Sequence, residues 1–290
     1  MDHRLHDRRQ RWPDHGVRKS METTTQPIKQ GHVGPPLILL ACIHAGLFVG
    51  GLIACFLLTG KAFISPFSPA ETIVDFYRLN GDAVRIQSFF LFGSSIPLGL
   101  YTATVVSRLS YLGVRAAGVT IALYGGFGAS FCLALAGLLQ WVLSHPELAT
   151  STEVIRALQD VVFITGGPAH TTLLGLLLAG VAVPSVFMGL LPRWLSIFGL
   201  VLAAFGELSS LSLILPQAMI FIPLARFPGF GWLVLCGAYL PKYRQGTSRM
   251  RDEASGFVEI QQLGKMADGE GFEPLPRTST WFLRGRSSPG

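Results

Sequence analysis

Residues 36–60 read Pro36-Leu37-Ile38-Leu39-Leu40-Ala41-Cys42-Ile43-His44-Ala45-Gly46-Leu47-Phe48-Val49-Gly50-Gly51-Leu52-Ile53-Ala54-Cys55-Phe56-Leu57-Leu58-Thr59-Gly60, without one Asp, Glu, Lys or Arg. A hydrocarbon core of ~30 Å takes roughly 20 residues of helix to cross, and this run is long enough. Lipid gives the backbone no hydrogen-bond partner, so a crossing segment of this kind is helical. Five more such runs follow, at Phe89–Leu109, Val114–Leu143, Val161–Leu191, Trp194–Leu215 and Ala218–Leu240. The pattern predicts an all-α fold, a six-span transmembrane bundle over residues 36–240 with tails at 1–35 and 241–290. The first run is too long for a signal-peptide core and is expected to stay as a span.

Composition points the same way. Half of the residues are apolar, only 14% are charged, and mean hydropathy is +0.46. The net charge of +6 is not a nucleic-acid signal, because 15 of the 23 Lys and Arg lie in the tails. Basic residues beside spans are a topology signal and an attraction to anionic lipid heads. The expected partner is thus the lipid bilayer and not nucleic acid; protein partners are not specified, and a homo-oligomer is left open. Near span ends, Lys29, Arg108, Arg115, Arg193, Lys242 and Arg244 face Lys61, Arg78, Arg85 and Arg156 on the other side. That bias predicts both termini in the cytoplasm of a bacterial cell. Trp141 near an outer end, and Tyr111, Trp194, Tyr239 and Tyr243 near inner ends, suit an aromatic belt.

The tails carry little fold information. Residues 1–20 have no apolar period, and Met21 offers a shorter start, so they read either as an over-extended start or as a polybasic arm. Gly271-Phe272-Glu273-Pro274 resembles the product of a reading frame that has run into a transfer-RNA gene on the opposite strand, so residues from about Met266 carry little weight.

Between spans, Ser68-Pro69-Ala70-Glu71 reads as a capping box and Asn80-Gly81 as a stop. The short helix between them would place Ile73, Phe76 and Tyr77 on one face. Thr150 and Glu153 form a second box before Val154, Ile155 and Leu158. Both loops either pack on the bundle or cover a cavity. Two stripes of small residues, Cys42-Gly46-Gly50-Ala54 and Gly118-Ala122-Gly126-Ser130, are expected to be helix-packing seams. Gly166-Gly167-Pro168 in span four, and Pro223, Pro228 and Gly229 in span six, mark either kinks or interruptions of the kind transporters use.

Four ionisable residues in spans are the candidate binding residues: His44, His170, Glu207 and Arg226. If Pro168 opens span four, His170 lies near the outer surface and far from His44, which argues against shared metal or haem ligation. Glu207 lies nine residues before Pro216 and Arg226 ten after it, so a hairpin at that turn would set them at equal depth as a buried ion pair. The four cysteines, Cys42, Cys55, Cys132 and Cys236, all fall within spans and have no CxxC spacing, so neither a disulfide nor a zinc site is expected. No HExxH, GxSxG or phosphate loop is present, so no catalytic residue, metal or cofactor is expected.

Leu191-Pro192-Arg193-Trp194-Leu195-Ser196-Ile197-Phe198-Gly199-Leu200 resembles the signature before a late span in a bacterial membrane family called domain of unknown function 4386. Ile222-Pro223-Leu224-Ala225 resembles the segment that opens its last span. The resemblance implies six spans and no assigned reaction, so it brings no site residues with it. The resulting expectation is a non-enzymatic membrane accessory or scaffold, with a small-molecule or ion transporter built on a Glu207–Arg226 pair as the alternative.

Overall fold

The computed structural model describes residues 34–61, 64–145 and 151–243. Readings placed on the tails and on Thr150 fall outside them, except for the few tail residues at 34–35 and 241–243. The described residues form helices and no strand: α1 (Leu37–Thr59), α2 (Ala70–Leu79), α3 (Gly81–Tyr111), α4 (Ala117–Leu143), α5 (Thr152–Ile164), α6 (His170–Met188), α7 (Arg193–Leu208) and α8 (Phe221–Tyr239). Six stretches are long and apolar enough to span a bilayer: α1, α3, α4, the continuous α5–α6, α7 with its 3-10 extension, and α8 with its 3-10 lead-in. The chain is therefore a multi-pass membrane protein.

The spans pack in sequence order into a closed ring, α1 on α3, α3 on α4, α4 on α6, α6 on α7, α7 on α8, and α8 back on α1. The outside of the ring is greasy, as lipid contact requires: Leu57, Phe131, Phe187 and Ile214 are each more than half exposed. Where α1 begins and α8 ends, a Cβ on Gly237 would meet Leu37 at 2.9 Å, so this end of the ring is closed. Trp194 and Tyr239 stack edge to face at the same end, both half exposed, as an interfacial aromatic pair would be. The interior here is a dry apolar core around Leu98, Val105, Leu178, Trp232 and Cys236.

Glycines set the close approaches. A Cβ on Gly180 of α6 would lie 2.5 Å from Gly118 O of α4, and one on Gly125 would lie 2.6 Å from Leu173 O. The stripe through Gly118, Ala122 and Gly126 is thus a true seam. The stripe in α1 is not: Gly46 is exposed, and a Cβ added there would meet nothing within 4 Å. Helix α1 buries His44, Phe48, Gly51 and Cys55 instead. The inward face of α1 mixes small and large residues, and its lipid face is mostly Ile, Leu and Phe, so size alone did not set the seam.

Local signals were partly realised. Asn80 closes α2, its Nδ2 donating to Phe76 O at 2.8 Å, but α3 starts at once at Gly81 rather than near Phe89. Its first residue, Gly81, packs on the end of α4, with a Cβ there only 3.0 Å from Ser144 O. The first capping box forms no side-chain cap. Pro69 takes the N-cap position of α2, and Ser151 that of α5.

Spans four and six are both continuous. A π-helical turn at Thr165–Ala169 joins α5 to α6 and carries Pro168 inside it. Proline has no N–H and crowds the preceding turn, and the wider π turn relieves that crowding at the cost of regular carbonyl pairing. Pro168 therefore does not open a span, contrary to the expectation built on it. In α8, Pro223 sits in the first turn, where no N–H partner is needed, and the helix continues through Pro228.

Candidate functional site

At the end of the ring opposite Leu37 and Tyr239, the interior holds a cavity of about 480 Å³. Helix α2 covers it: Ile73, Val74, Phe76 and Tyr77 are buried in an apolar cluster with Ile155 and Val162 of α5 and Cys55 of α1. The face predicted for α2 is thus the one that packs down, and the loop is a cover over a cavity. Tyr77 Oη donates to Gln159 Oε1, and Gln159 Nε2 donates to Ile64 O at 3.3 Å, tying α2 and the coil before it to α5. Burial pushes the Tyr77 phenol well above its ordinary value, so it stays a donor at all neutral pH. Arg156 of α5 adds a long 3.5 Å contact to Ser68 O.

The wall combines aromatic surface with amides. Phe48, Phe76, Phe163 and Phe227 supply the first. Gln140 Nε2 donates to Gln87 Oε1 at 2.6 Å, joining α4 to α3, and Gln159 faces the same space. Deepest on the α8 side lies Arg226, the charged residue among the described lining.

Arg226 is anchored on the π turn. Its Nη2 donates to Gly166 O, to Gly167 O at 3.2 Å and to Thr171 Oγ1 at 2.9 Å, while Thr171 Oγ1 itself donates to Gly167 O at 2.8 Å. The guanidinium thus braces the π turn from α8, adding to the hydrogen bonds that Gly167 O already accepts from the His170 N–H and the Thr171 hydroxyl. The Phe48 ring centroid lies 5.3 Å from Cζ, a cation–π contact. The Nε atom is buried and has no partner. No ion pair to Arg226 exists among the described residues.

The expected Glu207–Arg226 pair is therefore overturned. Glu207 is exposed on the outer surface of α7. Its neighbour Gly206 is pressed against α6, where a Cβ would lie 2.9 Å from Gly175 Cα, and a step of ~100° along a helix turns Glu207 away from that contact. Equal distance from the turn fixed depth but not azimuth. The turn is also not a tight hairpin: 3-10 stretches at Ser209–Leu213 and Pro216–Ile220 flank it. Each changes the rotation by ~20° per residue relative to an α-helix.

His44 and His170 lie below the cavity at one level of the ring. His44 Nδ1 donates to Ser94 O at 2.8 Å and His170 Nδ1 to Ala129 O at 2.9 Å. Ser130 Oγ donates to Ser95 O at 2.7 Å, which fixes those two helices at the same height. Both rings are buried, and both are within electrostatic reach of Arg226. The expectation that the histidines lie far apart is corrected, because span four runs straight through Pro168. A carbonyl only accepts, so Nδ1 carries the hydrogen and Nε2 is left as an acceptor. Both Nε2 atoms are buried without a partner. Polar atoms of this kind lie where a bridging water or a ligand group can satisfy them.

The sequence had marked His44, His170 and Arg226, and the structure brings these three together while leaving Glu207 outside. It missed the amides Gln87, Gln140 and Gln159, Tyr77, and the Gly166 and Gly167 carbonyls. Gln140, deep in an apolar run, and the Gly-Gly-Pro break were the readable signals. Arg108, counted only as a charge near a span end, is buried at the closed end of the ring with Nε and Nη1 unpartnered.

No known protein-family profile, no curated protein and no solved structure matches the chain.

Proposed function

We propose that this protein binds a small molecule in the covered cavity and works as a carrier for it in the bacterial cytoplasmic membrane, with both termini in the cytoplasm. The cavity is the observation that carries this reading. Its volume falls in the ~300–1,000 Å³ range of ligand pockets, and its make-up, apolar walls with a few convergent polar groups, is that of a ligand site. A scaffold or accessory protein has no use for such a space, and open volume between spans forfeits packing. The resemblance at Leu191–Leu200 supports placing the chain among the bacterial proteins of domain of unknown function 4386, which it would share in span count and layout.

The cover gives a means of access. Helix α2 is held by hydrogen bonds and one apolar face, and it is not itself a span. Its release would open the cavity at one membrane face while the packed half keeps the other face shut. Native mass spectrometry of the full chain released from nanodiscs tests the reading. A bound small molecule is expected, and it should be lost or much reduced in Ala136→Trp, whose indole would project into the cavity and take up part of it. Equal occupancy in that variant would sink the reading. Proteoliposome flux of the identified molecule then separates a carrier from a binding protein that does not transport.

A further inference from the structure

The geometry points to a ligand with a single anionic head on an apolar chain, reaching the cavity sideways from the bilayer between α1 and α8; this rests on the cavity reading above. The first argument is charge. A guanidinium held within a bilayer is costly unless something neutralises it. Arg226 has five N–H donors. Nη2 alone makes hydrogen bonds, all of them to uncharged oxygens, and no carboxylate among the described residues pairs with it. Its side chain is only partly exposed, and what is exposed lines the cavity. Among the described residues the counter-charge is missing, and the cavity has room for it to arrive as ligand.

The second argument is selection between head groups. Nη1 makes no hydrogen bond and, unlike Nε, is not buried, so the guanidinium keeps a donor edge for an oxyanion, and a carboxylate or phosphate is the head group Arg binds best. A cation is opposed by Arg226, and a neutral head leaves it uncompensated.

The third argument is the path. On the α8 side the wall is Ile220, Pro223 and Phe227, all exposed on the flank of the bundle, and across from them stand Phe48 and Leu52 of α1. Helices α1 and α8 meet tightly at Gly237 and Leu37, and Phe48 packs edge to face on both Phe230 and Phe227, so the entrance between them lies beyond Phe227, between Leu52 and the Ile220–Pro223 segment. An apolar opening on the lipid flank admits a chain that is already dissolved in lipid. The volume equals that of about 16 waters at ~30 Å³ each. A methylene group takes up about as much space as a water, so one medium-length chain fits.

The test measures binding to the full chain in nanodiscs of uncharged lipid. The probes are palmitate, palmityl alcohol, hexadecyltrimethylammonium and a lysophosphatidate of the same chain length. At least one anion should bind about tenfold or more tighter than the alcohol, and the ammonium should bind weakest. Which anion wins decides between a free fatty acid and a phosphate-headed lipid. Arg226→Gln should bring the anion-to-alcohol ratio to near one, and Arg226→Lys should retain part of it. The wild-type ratio stands as a test even if Arg226→Gln does not fold. Alcohol binding as tight as either anion, or an unchanged ratio in Arg226→Gln, overturns the anion claim and leaves the cavity reading standing. If no probe binds and no molecule copurifies, both fall together.

Discussion

One ring of six helices is filled in two ways. In the half where α1 begins and α8 ends, Leu98, Leu178 and Trp232 are fully buried and glycines bring backbones into contact. In the other half α1, α3, α4, α5 and α8, capped by α2, stand around about 480 Å³ of open space lined by amides, aromatic rings and one guanidinium. The difference traces to a few residues. Pro168 sits in a π turn, and Arg226 of α8 reaches across to the Gly166 and Gly167 carbonyls of that turn. A polar anchor thus holds α8 against span four on one side without filling the space beside it. The packed half supplies stability, and the open half has been released from that task.

The largest effects are expected in the packed half. Gly180→Leu should put side-chain atoms into the backbone of α4, where even a Cβ lies 2.5 Å from Gly118 O. Overpacking costs ~1–3 kcal/mol and occasionally more, and with no soft neighbour to move, a loss near or above the top of that range is expected. Folded yield in detergent should collapse. Retention of a normal melting temperature would show that this seam is not as close as described.

Next in size is Arg226→Ala, which removes the guanidinium hydrogen bonds to the Gly166 and Gly167 carbonyls and the Thr171 hydroxyl. Loss of a partner for buried polar groups costs ~1–3 kcal/mol. Glu207→Ala, by contrast, should stay within ~0.5 kcal/mol, as surface substitutions do. The double variant should lose what Arg226→Ala loses, because the side chains do not meet. A coupling energy well above error in that double-mutant cycle would restore the ion pair.

A smaller effect is expected at the cover. Tyr77→Phe removes one hydrogen bond, worth ~0.5–1.5 kcal/mol, and should raise hydrogen exchange in residues 70–79 while leaving exchange in α3 and α4 unchanged. The pH dependence has a definite sign. Undocked, the phenol ionises near about pH 10. Docked, it resists ionisation because burial raises its pKa. Docking is thus fully supported below about pH 10 and weakens above it, a change that Tyr77→Phe should abolish. Exchange in α2 that varies between pH 6 and 8 beyond the intrinsic rate would implicate another group.

Much of this contrast could be seen in the residues before any coordinates. Span number, the apolar face of α2 and the α4 seam follow from length and period, which depend on local composition alone. The pairing of Arg226 did not follow, because depth can be counted along a helix while azimuth depends on which face its neighbours bury. Gly206 and Gly175 set that azimuth for α7, and neither carries a side chain to advertise the contact. The α1 stripe misled for a related reason: small residues permit close packing but do not compel it, and Phe48 and His44 had the stronger claim to the interior. The proximity of His44 and His170 turned on whether Pro168 breaks a helix or widens it.

Leu91 and Leu98 put the two halves on one helix. They lie seven residues apart on the same face of α3, Leu91 lining the cavity and Leu98 fully buried in the packed half. In a chain with Cys42, Cys55, Cys132 and Cys236 replaced, the rate of labelling of Leu91→Cys and Leu98→Cys by a small membrane-permeant maleimide compares them directly. Leu91→Cys should react readily and be protected by the bound ligand, while Leu98→Cys should stay unreacted until the protein is denatured. Equal rates at the two positions would mean that the ring is filled alike from end to end and that the cavity, with the carrier role built on it, does not exist.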